Sequence, residues 1–68
     1  MRNVDYRLMQ IIESILTAAN ETLEEEHSHI TTGALMAYAE ILTIIQEQLS
    51  EEERKLYKLD FDIDARYM

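Results

Sequence analysis

The chain has 68 residues, with 14 acids against 6 bases for a formal net charge of −8, no cysteine, no proline and one glycine. A single core of this size supplies only about 3 to 5 kcal/mol, and the lack of cysteine removes disulfides and thiolate metal sites as supplements. A second subunit is the common supplement that remains, while the acidic balance disfavours nucleic acid and anionic membrane as partners because like charges repel.

The opening residues place Asp5 and Arg7 where a secretory signal needs an unbroken apolar run. No apolar stretch approaches the roughly 18 residues that a membrane span requires, so the expectation is a soluble cytoplasmic protein. The six bases form no patch larger than the group from Arg54 to Lys58.

The first predicted element is a helix over about residues 3–26. Val4, Leu8, Met9, Ile11, Ile12, Ile15, Leu16, Ala18, Ala19 and Leu23 recur at spacings of three and four. At about 100° per residue they share one half of the helix circumference, facing away from Arg7, Gln10, Glu13, Ser14, Thr17, Asn20 and Glu21. A single neighbouring helix needs an apolar stripe of only about 100°. A face of roughly 180° therefore implies at least two neighbours.

Residues 24–33 lose the period, gather polar and β-branched types and hold the only glycine, Gly33, so they read as a connection. Ser28, Thr31 and Thr32 are each able to cap the next helix. That helix is predicted over about residues 32–59, from the stripe Ala34, Leu35, Tyr38, Ile41, Leu42, Ile45 and Leu49, continued by Leu56 and Leu59. Ser50-Glu51-Glu52-Glu53 has the form of a capping box, which opens the alternative of a break at 50–53. Residues 60–68 alternate polar and apolar side chains at period two, the pattern of an extended acidic-hydrophobic tail with no second strand to pair with.

The predicted architecture is an all-α antiparallel helical hairpin over residues 1–59 followed by the tail. Both helices rise about 1.5 Å per residue, so a turn near His29 leaves everything after Leu56 overhanging the start of the first helix. The apolar overhang and the broad face of the first helix together point to a homodimer that forms a four-helix bundle. The predicted interface comprises Leu8, Met9, Ile12, Leu16, Tyr38, Ile45, Leu49, Leu56, Phe61 and Ile63. A monomeric three-helix bundle, with residues 51–59 folded back on the hairpin, is the alternative.

Site chemistry is sparse. His27 and His29 are two residues apart, so on a helix they diverge by about 200° and converge only in an extended loop. Asp60, Asp62 and Asp64 imitate the start of a calcium loop, but Ala65 stands where the glycine belongs and the twelfth position lies past Met68. Glu24 and His27, like Glu26 and His29, have the spacing of a di-iron ligand pair, without inward carboxylates from other helices. Tyr38 reads as packing, and no nucleophile stands beside a base or a glycine-rich turn.

The expectation is a non-enzymatic protein–protein interaction or regulatory module with no catalytic residue, cofactor or metal, acting as a homodimer on an unidentified protein partner. The alternative is a nucleic-acid mimic whose carboxylates block a basic DNA-binding protein. The acids cluster at Glu24–Glu26, Glu51–Glu53 and Asp60–Asp64 rather than along one face, which weighs against it.

Overall fold

Asp5 starts the first helix. Its carboxylate accepts backbone N–H bonds from Arg7 (3.0 Å) and Leu8 (3.1 Å), two of the donors that a helix start leaves unpaired. The computed structural model describes residues 4–68, and in it α1 spans Tyr6–Glu24. The expected start at residue 3 lies outside the described residues. At the other end no basic residue occupies the last turn, and Glu24, Glu25 and Glu26 place negative charge at the carbonyl end of the helix dipole, where it is unfavourable. The backbone leaves the helix at Glu25 with φ −72° and ψ 161°.

The second helix, α2, spans His29–Gln48 and so begins earlier than its apolar period predicts. The reason is a reciprocal cap. Ser28 Oγ accepts the Thr31 N–H at 3.1 Å, while the Ser28 N–H donates to Thr31 Oγ1 at 2.8 Å. Gly33, read from sequence as part of the connection, lies inside this helix.

The predicted continuation of this helix to residue 59 does not occur: α2 ends at Gln48 and the alternative break at Ser50 is what forms. Ser50 Oγ accepts the Glu53 N–H at 3.2 Å and the Ser50 N–H donates to Glu53 Oε1 at 2.9 Å, which starts α3 at Glu51–Leu56. Three acids in its first turn and Arg54 and Lys55 in its last complement the helix dipole. Lys58 then turns left-handed at φ 58°. The N–H of Leu59 donates to the Arg54 carbonyl at 2.7 Å and that of Lys58 to the Lys55 carbonyl at 3.2 Å, the paired bonds of a Schellman ending.

The tail is where the sequence expectation fails. Residues 63–67 form a helix, α4 (Ile63–Tyr67), with Asp62 as its N-cap accepting the Ala65 N–H at 3.1 Å. Among the described residues no strand exists for the segment to join. A period-two run also contains i, i+4 pairs, and Ile63 and Tyr67 are such a pair, sharing one helix face and both buried.

The long helices α1 and α2 form an antiparallel hairpin, and α4 packs against α2. The predicted overhang is absent, because the chain reverses after α3. Tyr57, Leu59, Ile63 and Tyr67 are 6%, 0%, 3% and 4% exposed, and they join Ile12, Ala19, Leu35, Ala39 and Leu42 in one core. Gln46 holds the returning strand of chain: its side-chain amide donates to the Leu59 and Phe61 carbonyls, both at 2.9 Å. Arg54 Nε in turn donates to the Gln46 carbonyl at 2.8 Å. At the same end of the hairpin, the Tyr57 hydroxyl accepts the Asp5 N–H at 3.0 Å.

The one glycine of the chain and the one left-handed non-glycine residue among the described residues are in each other's natural places. Nothing lies within 4 Å of where a Gly33 Cβ would stand, and its φ is not positive, so glycine costs helix stability there. Gly33→Ala is expected to add about 0.5–1 kcal/mol, and Lys58→Gly up to about 1 kcal/mol by relieving the left-handed backbone. For a chain this short, each 1 kcal/mol raises the melting temperature by about 4–8 °C. A fall in melting temperature for either variant would contradict the placement of that residue.

Candidate interaction face

Side-chain direction follows from the helix period, at about 100° per residue. On α2, measured from the buried line through Leu35, Ala39 and Leu42, the residues Met36, Glu40 and Thr43 turn to one flank. Ala34, Tyr38, Ile41 and Ile45 turn to the other. The first flank is the one beside α4, since Met36, Glu40 and Thr43 surround a groove completed by Asp64 and Met68.

On α1, measured from Ile12 and Ala19, Asn20 turns toward α4 and accepts the Tyr67 hydroxyl hydrogen bond at 2.7 Å. Leu8, Ile11, Ile15 and Ala18 turn the opposite way. In an antiparallel pair these two opposite flanks lie on the same side of the hairpin. One side thus carries α4, with Met36, Ile44 and Met68 exposed around the groove beside it and the acids Glu40 and Asp64 among them. The other presents apolar side chains from both long helices, with Ile11 49% and Ile41 44% exposed.

The ten predicted interface residues divide among these surroundings. Ile12 and Ile63 are buried within the chain itself and have no surface to offer a partner. Met9 and Leu16, half-buried, incline toward the α4 side; Leu49, Leu56 and Phe61 are half-buried against the core. Phe61 meets the Tyr67 ring edge-on at 6.4 Å, with the Arg66 guanidinium 5.1 Å from its centre. Only Leu8, Tyr38 and Ile45 of the ten lie on the open side, each half-buried. Ile11, Ile15 and Ile41 complete that side. Their apolar character was visible in the stripes; which flank the returning chain covers was not.

The acids of the long helices avoid the open side. Glu13, Glu24, Glu40 and Glu47 turn toward the α4 flank and Glu21 points directly outward. Two clusters stand at the ends of the hairpin, Glu24–Glu26 before the α1–α2 turn and Glu51–Glu53 in α3, while Asp60–Asp64 lead into α4, with Asp64 lining the groove on its side. Among the described residues no three histidine, cysteine or carboxylate side chains gather closely enough to hold a metal ion. His27 and His29 are exposed at the turn. No helix among the described residues is long and apolar enough to cross a membrane.

Tyr67 anchors α4. Burial pushes its hydroxyl above the usual 10.0, and the Arg66 guanidinium opposes that rise. The folded chain therefore holds this proton more tightly than the unfolded chain does. That stabilisation is intact below pH 10.0 and is lost as the pH climbs through the raised value. Tyr67→Phe has nothing to ionise, so its melting temperature is expected to decline less steeply above pH 10.0 than that of the parent chain. Parallel declines would contradict the burial of the hydroxyl.

Comparison with known proteins finds no matching family model, no matching curated protein and no matching solved structure.

Proposed function

We propose that the chain is a non-enzymatic protein–protein interaction module of the cytoplasm that acts as a homodimer, two hairpins pairing into a four-helix bundle. The observation that carries this reading is the open apolar side of the α1–α2 hairpin. The molecule is elongated, 44 × 19 × 14 Å. Domains bury their apolar faces between two layers, and α4, five residues long, supplies only part of a second layer. A chain with a net charge of −8 that leaves Ile11 and Ile41 half exposed on a side free of acids has a surface suited to a subunit contact.

Sedimentation equilibrium tests this. The expected mass is twice the 8.0 kDa of one chain at micromolar concentration, with a melting temperature that rises with protein concentration because association is coupled to folding. A single-chain mass and a concentration-independent melting temperature would contradict it.

A further inference from the structure

We infer that the open side opposite α4 is covered by the same side of a second copy, related by a two-fold axis, an inference that rests on the homodimer reading and assigns its interface. Its centre is Leu8, Ile11 and Ile15 of α1 with Tyr38, Ile41 and Ile45 of α2.

Area supports this occupant. A monomer of 8.0 kDa is expected to expose about 4450 Å², whereas this chain exposes 5190 Å². The excess of roughly 700 Å² is close to the roughly 800 Å² that each partner hides in a standard interface. The radius of gyration of 12.6 Å is likewise larger than the roughly 11 Å of a compact chain of this length. The surplus is that of an elongated molecule, 44 Å in its longest dimension.

Charge supports it independently. A two-fold interface sets a patch against itself, so a carboxylate on the patch meets its own copy or a near neighbour of the same sign. In a chain with 14 acids, the six central residues are all uncharged and the glutamates of α1 and α2 point elsewhere. A patch meant for a basic partner would carry acids; this one carries none. Self-pairing is the arrangement that lets two strongly acidic chains associate with their charges held outside the contact.

The test is Ile41→Glu, with Met36→Glu as the control: Met36 is 53% exposed but lies on the α4 side. Ile41→Glu buries an unpaired charge from each copy and is expected to weaken dimerisation about 100-fold or more, shifting the sedimenting mass to 8.0 kDa while Met36→Glu stays at the mass of the parent chain. If the parent is dimeric and Ile41→Glu is equally so, the assigned face is wrong while the homodimer stands. A single-chain mass for the parent overturns both.

Should Ile41→Glu lose its helical circular dichroism, the chain's freedom from cysteine gives a second measurement. Ile41→Cys and Met36→Cys are alkylated in the native state, at a concentration where the parent is dimeric. Slow reaction at position 41 and fast reaction at position 36 supports the assignment; equal rates overturn it.

Discussion

Replacing Leu59 with alanine is expected to leave much of the protein unfolded. Leu59 is 0% exposed and sits just past the left-handed turn at Lys58, where its side chain enters the core between the hairpin and the returning segment. Truncating a fully buried leucine costs about 2–5 kcal/mol, from lost transfer energy and from the cavity left behind. Set against the roughly 3–5 kcal/mol that a core of this size supplies, the loss consumes most of the margin. Urea unfolding followed by far-ultraviolet circular dichroism measures it. A cost under about 1 kcal/mol, the range of surface substitutions, would mean that Leu59 projects from the end of an overhanging helix, as the apolar stripe alone suggests.

Tyr57 is expected to be at least as sensitive, and in two separable parts. Its ring is buried, with 6% exposure, and its hydroxyl accepts the Asp5 N–H at 3.0 Å, which ties the return of the chain to the start of α1. Tyr57→Ala removes both and is expected to cost about 3–5 kcal/mol. Tyr57→Phe keeps the ring and loses only the hydrogen bond, for about 0.5–1.5 kcal/mol. Similar costs for the two variants would show that the ring does not fill the core, and that the hydroxyl alone carries the contact.

The apolar period was sufficient to find α1 and α2, because three- and four-residue spacing over such lengths has no other regular solution. The Ser50 box likewise marked the break before α3 correctly, against the continuing stripe of Leu56 and Leu59. The return of the chain was hidden for particular reasons. Lysine is not a residue that announces a left-handed turn, so Lys58 gave no warning of the reversal. Gln46 holds the Leu59 and Phe61 carbonyls only after that reversal has brought them near, and a lone glutamine on a helix carries no such signal. In the tail, alternation of Phe61, Ile63, Ala65 and Tyr67 imitated a strand while concealing the i, i+4 pair that α4 buries.

The broad apolar face of α1 did carry real information: it demands more than α2 as a neighbour. One further neighbour is the chain's own segment from Tyr57 to Tyr67, which reaches Asp5 at one end of α1 and Asn20 near the other. Ile12 is buried in one core with Tyr57, Leu59, Ile63 and Tyr67 of that segment, with no second subunit needed to cover it. The interface residues predicted from the stripes were therefore spread over both flanks and the core between them. A helix wheel shows how wide an apolar face is and gives no sign of which half the same chain will claim.

The division of that face between the chain itself and a second copy is most directly tested by isotope-filtered nuclear Overhauser measurements on a mixture of labelled and unlabelled chains. Methyl groups of Ile11, Ile15, Ile41 and Ile45 are expected to show contacts between chains, whereas those of Leu42, Leu59 and Ile63 show contacts only within one. Contacts between chains at Leu59 and Ile63, or their absence at Ile41, would contradict that division.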